Sequence, residues 1–192
     1  GADKRECAVI VELKQWSEVD STELDAIVRT RLRGALVEVN HPSYQAWSYA
    51  ALLEDFNEAI QESSIVLSPC AYLHNLVSET AIRDPRYAAH LERAPVFIRN
   101  DAERLAAFIK QFIRHGDGGG LVYVIERGRI RPSKNLADQL LSMLQGNEEF
   151  VMIDDQKLVF ETAMNLARKS STTKKNVLIV EGGPGTGKSV IA

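Results

Sequence analysis

Residues 7–14 alternate as a half-buried strand does: Ile10, Glu12, Lys14 and then Trp16 fall on one face, while Val9, Val11 and Leu13 fall on the other. Residues 27–32 and 35–39 predict a hairpin that turns at Arg33-Gly34. His41-Pro42-Ser43 opens a long helix, expected to run to about residue 63, with proline in its first turn. Within it Gln45, Tyr49, Leu52, Leu53 and Phe56 repeat at helical spacing and form one stripe that should pack on the sheet. Residues 65–73 read as another strand, 85–92 as a short helix and 95–98 as a short strand. Asn100, with Glu103 three residues on, is the expected N-cap of a helix reaching His115. Residues 121–125 are expected to be a strand, Ser133 to cap a helix through 144, and Asp154 or Asp155 to start a helix through 169. The polar stretch 170–175 leads into the apolar run 176–180. Gly116-Asp117-Gly118-Gly119-Gly120 is the expected hinge.

Strands alternating with helices in this way predict an α/β fold. Composition sharpens the picture by exclusion. With 192 residues, 45% hydrophobic and 26% charged, the chain is an ordinary globular sequence and neither disordered, collagen-like nor coiled-coil. A net charge of −3 gives no general attraction for nucleic acid, so any such binding must come from a local patch. The apolar runs are too short to span a bilayer, and the opening Gly-Ala-Asp-Lys-Arg has no apolar signal core. Two cysteines, Cys7 and Cys70, cannot make a disulfide framework and suit a reducing compartment, so the expected location is cytoplasmic.

The clearest motif lies at the carboxyl end. Gly182-Gly183-Pro184-Gly185-Thr186-Gly187-Lys188-Ser189 has the form G-x-x-x-x-G-K-S and follows the apolar run 176–180. A strand running into such a loop is the context of a phosphate-binding P-loop. Chance alone gives the pattern in roughly one chain of this length in a hundred. The glycines let backbone N–H groups turn toward phosphate oxygens, Lys188 would reach the outer phosphates and Ser189 would ligand Mg²⁺. A working NTPase also needs a full helix after the loop and a Walker-B acid on another strand. The expectation is therefore a piece of a longer protein, cut at both ends and stopping where an ATPase domain begins.

Glu12 and Lys14 project together from the end of the first strand. A carboxylate beside a lysine suits metal-dependent phosphodiester hydrolysis: the acid binds Mg²⁺, the metal activates water, and the ammonium orients that water or stabilises developing charge. The Leu13 carbonyl could add a ligand. An E-x-K triplet occurs by chance on the order of once per chain, so a surface ion pair is the favoured reading of the triplet alone. Gln45 is the polar exception on the helix stripe; it either faces a bound water or phosphate or caps the first turn. Arg29, Arg31 and Arg33 alternate along the hairpin and would present three guanidinium groups on one side, either to a nucleic-acid backbone or as a solvated face balanced by Glu23, Asp25 and Glu38. Trp16 would floor the Glu12–Lys14 site; Trp16, Tyr44 and Trp47 either stack bases or belong to the core.

In this order, a strand with Glu12-Leu13-Lys14, a helix with Gln45-x-x-x-Tyr49 and a further strand, the chain resembles the PD-(D/E)XK nuclease superfamily, and its Q-x-x-x-Y helix is similar to the RecB-like exonuclease branch. The runs from His41 to Tyr49, from Pro69 to Asn75 and from Gly182 to Ser189 resemble bacterial fusions of such a nuclease with a Schlafen-related, helicase-like P-loop ATPase. The resemblance implies a restriction-endonuclease-like mixed sheet flanked by helices over residues 1–115, a connector over 116–146 and the start of the ATPase domain over 147–192. It implies Glu12 as metal ligand, Lys14 as catalytic lysine, and Gln45 and Tyr49 as active-site residues. Ile153-Asp154-Asp155-Gln156 resembles the Q motif of superfamily-one helicases, in which Gln156 would touch adenine. The superfamily carries one more acid on a strand before Glu12; Asp3 reads as a turn residue within 1–6, so that partner is expected upstream and the metal site of this piece incomplete. The implied activity is Mg²⁺-dependent cleavage of DNA, favoured over RNA, coupled to an ATP-driven motor. The alternative is an inactive nuclease fold that binds nucleic acid for the ATPase.

Overall fold

The computed structural model describes residues 6–132, 151–171, 173, 175–184 and 186–191. The expected turn over 1–6 and the helix over 133–144 lie largely or wholly outside these residues. The described residues form a mixed α/β fold with helices flanking two three-stranded sheets, one parallel and one antiparallel, where a single mixed sheet was expected. The parallel sheet holds β1 (Cys7–Lys14), β5 (Val66–Leu73) and β6 (Val96–Ile98) in the order β1-β5-β6. Its register sets Lys14 beside Leu73 and Leu73 beside Ile98, so the three carboxyl ends are level. Pro69 sits within the central strand without harm, because β6 pairs only with Ala71–Leu73 and leaves that edge of β5 open at Pro69.

The antiparallel sheet is the meander β2 (Val19–Ser21), β3 (Ile27–Leu32) and β4 (Ala35–Asn40). Its expected hairpin is present. Arg33 and Gly34 have φ of 51° and 86°, the two positive values that let a two-residue turn follow the twist of the strands.

The long helix divides. α1 (Pro42–Phe56) ends where Asn57 takes an extended conformation, and α2 (Glu58–Ser63) starts anew. Asn57 serves both ends: its N–H closes α1 on the Leu53 carbonyl, and its Oδ1 caps α2 by accepting from Ile60 N. The expected stripe on α1 is only half-buried. The buried positions are instead Pro42, Ser43, Tyr44, Ala46, Ser48 and Ala50. Small residues let α1 lie close to β1 and β5 on one side and to α3 (Ala88–Arg93) on another. The core beneath gathers Trp16, Val28, Leu73, Leu76, Ile82, Tyr87 and Ile98. Trp16 and Tyr44 are therefore core residues, with 7% and 5% of their surface exposed.

α4 (Ala102–Phe112) begins after Asn100 and stops short of His115. Asp101 stands at the N-cap position of α4 without a side-chain bond into the helix; its carboxylate turns back to accept from Ile98 N and holds Arg83 and Arg104. Residues 121–125, expected as a strand, form a helix, α5 (Leu121–Glu126). Local chemistry decides this. Asp117 accepts from the N–H groups of Gly119 and Leu121, Gly120 adopts φ 72°, and no described strand lies alongside. α6 (Asp155–Lys169) forms as expected. The run 176–180 is not a strand: Val177 and Ile179 are 85% and 77% exposed, and no described residue pairs with its backbone ladder. A short α7 (Lys188–Ile191) follows the glycine-rich loop. No helix of the described residues is long and apolar enough to cross a membrane.

Candidate functional site

Glu12 and Lys14 sit at the carboxyl end of β1, the edge of a parallel sheet where ligands usually bind. Two-residue spacing places them on one face, and Glu12 Oε1 lies 2.8 Å from Lys14 Nζ. Both side chains are largely shielded, and the Lys14 ammonium stands 5.1 Å from the centroid of the Trp16 ring. Trp16 thus belongs to the core and floors the Lys14 side of the site at once.

α1 presents Gln45 and Tyr49 one turn apart toward the same region. Gln45 Nε2 donates to Tyr49 Oη at 2.7 Å, and Tyr49 Oη donates to Asp154 Oδ1 at 2.6 Å. Gln45 Nε2 also reaches Asp154 Oδ1 at 3.3 Å. Burial pushes the Tyr49 phenol up to about 12, the Asp154 carboxylate adds to that, and the charge of Glu12 pushes the same way. Tyr49 is consequently a fixed donor between two carboxylates. Lys14, Trp16, Asn40, Gln45 and Asp154 line a common cleft of about 210 Å³.

Asp154 and Asn40 are the members that sequence reasoning did not assign. Asn40, at the end of β4, donates from Nδ2 to the Asp154 carbonyl at 2.6 Å, while its buried Oδ1 has no partner among the described residues. Asp154 holds φ 46°, unusual for a residue with a side chain. The only signal for Asp154 in the sequence is its place in the Ile153-Asp154-Asp155-Gln156 segment, two residues before Gln156.

The donor set suits a hard cation of the Mg²⁺ type, which is commonly held by one or two carboxylates plus water and phosphate oxygens. Asp154 lines the cleft, and Glu12 is paired with Lys14, which lines it as well. Among the described residues no three acidic, histidine or cysteine side chains converge as a closed metal cage.

The glycine-rich loop is compact. Lys188 Nζ donates to the carbonyls of Gly182 at 2.9 Å and Gly183 at 2.6 Å, and Thr186 Oγ1 donates to the Gly183 carbonyl. A Cβ on Gly182 would lie 2.7 Å from Thr186 Oγ1. A Cβ on Gly187, at φ 79°, would lie 2.5 Å from Gln156 Nε2. A side chain at Gly182 would have to displace Thr186, and one at Gly187 would have to displace Gln156 from a backbone conformation that itself favours glycine. Pro184 is in an exposed turn; Gly185 and the Ser189 side chain lie outside what is described. Gln156 reaches the loop, donating from Nε2 to the Thr186 carbonyl at 3.1 Å.

The arginines do not form one stripe. Arg29 is paired with Glu38 and Arg31 with Glu18, each at 2.7 Å, and Arg33 has left β3 for the turn. Asp25, expected to balance them, pairs instead with His90 and Lys157. Compared with protein-family models, with curated proteins and with solved structures, the chain matches none.

Proposed function

We propose that the Glu12–Lys14 cleft is a Mg²⁺-dependent nuclease site of the PD-(D/E)XK type, acting on DNA in preference to RNA, in a protein whose 182–189 loop binds ATP for a helicase-like motor. In this reading the parallel sheet with its helices is the restriction-endonuclease-like domain, and residues from Asp154 onward begin the P-loop domain. The protein would work in the cytoplasm. One observation carries the reading: Lys14 of β1 and Gln45 of α1 line one cleft, with Glu12 paired to Lys14 and Tyr49 bonded to Gln45.

The residues divide the work. Glu12 and Asp154 would hold the cation. Bound Mg²⁺ would polarise a phosphoryl oxygen and make its water acidic enough to attack. Lys14 Nζ would orient that water and neutralise charge building on the phosphate. Gln45 and Tyr49 hold Asp154 and donate toward the cleft. At the loop, Lys188 would trade the Gly182 and Gly183 carbonyls for nucleotide phosphates, Ser189 would ligand the nucleotide's Mg²⁺ and Gln156 would meet the base.

The test is cleavage of labelled DNA with and without Mg²⁺ and ATP. Glu12→Ala and Lys14→Ala should abolish nicking while ATP hydrolysis persists, and Lys188→Ala should abolish ATP hydrolysis. Unchanged nicking by Glu12→Ala would remove the site. A second reading, an inactive fold that binds nucleic acid for the ATPase, is favoured by the engagement of Glu12 with Lys14 and by the absence of a closed metal cage among the described residues. Mg²⁺-independent, salt-sensitive DNA binding with no nicking selects it, and weaker binding by Arg29→Ala and Arg31→Ala would place the backbone contact on β3.

A further inference from the structure

The two candidate sites meet in three consecutive residues. Asp154 accepts from Tyr49 and Gln45 in the cleft, and Gln156 donates to Thr186 in the glycine-rich loop. We propose that Asp154-Asp155-Gln156 couples them, so that nucleotide at the loop and DNA with its cation in the cleft change each other's affinity. The coupling presupposes both sites and concerns their regulation.

The linking element is a closed turn. Gln156 N donates to the Ile153 carbonyl at 3.0 Å, and Ile153 N donates back to Gln156 Oε1 at 3.2 Å. One carboxamide therefore does two jobs: its oxygen shuts the turn and its nitrogen holds the loop. Inside the turn Asp154 keeps its unfavourable positive φ, and Asn40 pins its carbonyl from the other side. A nucleotide that recruits the Gln156 carboxamide must take it from Thr186, from Ile153 or from both. Releasing Ile153 opens the turn, lets Asp154 relax toward an ordinary backbone conformation and draws its carboxylate off Tyr49. The two states thus differ in contacts at both ends, which coupling between sites requires. A ligand that fixes Asp154 in the cleft holds the turn shut and must alter nucleotide binding by the same factor.

The experiment measures the dissociation constant of a fluorescent, non-hydrolysable ATP analogue with and without saturating duplex DNA, using Ca²⁺ in place of Mg²⁺ to prevent cleavage. The expected result is a change of about fivefold or more. Asp154→Ala removes the contact to Tyr49 that holds the turn and should bring the ratio to one. If Asp154→Ala no longer binds DNA, Asn40→Ala, which frees the Asp154 backbone and leaves every carboxylate in place, is measured for the same loss. A wild-type ratio of one with both ligands bound overturns the coupling alone. So does an undiminished ratio in the alanine variant. Failure of either ligand to bind the wild type overturns the site assignment beneath it as well.

Discussion

Tyr49 donates a 2.6 Å hydrogen bond to the carboxylate of Asp154, which lies 105 residues further along the chain. The phenol, pushed up to about 12 chiefly by burial, stays protonated across the neutral range and holds this acid in the cleft without a pH switch. Tyr49→Phe removes the donor to Asp154 and one acceptor of Gln45 Nε2, which keeps its contact with Asp154. Because Asp154 is exposed to water, folding stability should fall by no more than about 1 kcal/mol. If Asp154 helps hold the cation, cleavage at limiting Mg²⁺ should fall roughly 10- to 100-fold and recover partly as Mg²⁺ is raised. Mg²⁺ titrations of cleavage by both proteins check this. Equal Mg²⁺ requirements would take Asp154 out of the cation site.

Part of this site was legible in the sequence, and the reason is periodicity. Glu12 and Lys14 share a strand face by the two-residue repeat, and Gln45 and Tyr49 share a helix face by the four-residue repeat. Gln156 was implied by the resemblance of residues 153–156 to a Q motif and not by any period. No period connects Gln45 to Asp154, however, and only the packing of α6 against β4 brings them together. The helix over Leu121–Glu126 was misread for a related reason: a five-residue apolar run fits strand and helix alike, and the Asp117 cap that decides it lies outside the run. Residues 176–180 carry a strand's composition, but a buried parallel strand needs neighbours, and no described residue supplies them. The expected grouping of Arg29, Arg31 and Arg33 extrapolated strand alternation one step into a turn.

Lys157 joins α6 to the rest of the fold. Its ammonium lies 2.7 Å from Asp25 and 2.9 Å from Glu161, with Lys157 and Glu161 both buried. Burial works against this ammonium, but its two carboxylates outweigh burial and raise its pKa. Lys157→Met leaves Glu161 buried without a cation, which should cost about 3–5 kcal/mol. The double variant Lys157→Met, Glu161→Leu removes both charges and should recover most of that loss. Urea unfolding of the four proteins of the cycle measures it. A double variant as unstable as the sum of its singles would show that packing, and not charge, sets the cost.

Gly128 and Asn57 form a steric pair. A Cβ on Gly128 would lie 2.4 Å from Asn57 Oδ1 and 2.7 Å from Nδ2. The same side chain caps Ile60 N at 3.2 Å and donates to the Ile125 carbonyl at 2.7 Å. Gly128→Ala must therefore displace Asn57 from both bonds, at a cost of about 2 kcal/mol, roughly one for the cap and one for the lost bond. Asn57→Ala should cost about the same. Once Asn57 is alanine there is little left to displace, so adding Gly128→Ala should cost close to nothing. Denaturation midpoints that instead add would place the clash somewhere other than Asn57.

His41 gives the fold a defined acid response. Its ring is fully buried, with Nε2 donating to the Ile82 carbonyl at 2.9 Å and Nδ1 accepting from Ser43 N at 3.2 Å. These two bonds select the neutral tautomer with its proton on Nε2. A second proton on Nδ1 would face the Ser43 N–H and undo the helix cap. Burial lowers the folded pKa to about 4, with the Ile82 carbonyl opposing, whereas the unfolded chain titrates near the ordinary value of about 6.5. Between those values the unfolded state binds the proton and the folded state does not, so stability falls as the pH drops from about 6.5 to about 4 and His41 contributes no further slope below that. The window corresponds to about 3 kcal/mol. His41→Asn keeps a cap acceptor and removes the titration. It should be less stable than wild type at pH 7, and the gap should close by about 3 kcal/mol on reaching pH 4. Urea unfolding at half-unit pH steps follows both curves. A gap that stays constant across the window would mean that His41 takes up its proton as readily in the folded protein as in the unfolded chain and that its Nδ1 does not cap α1.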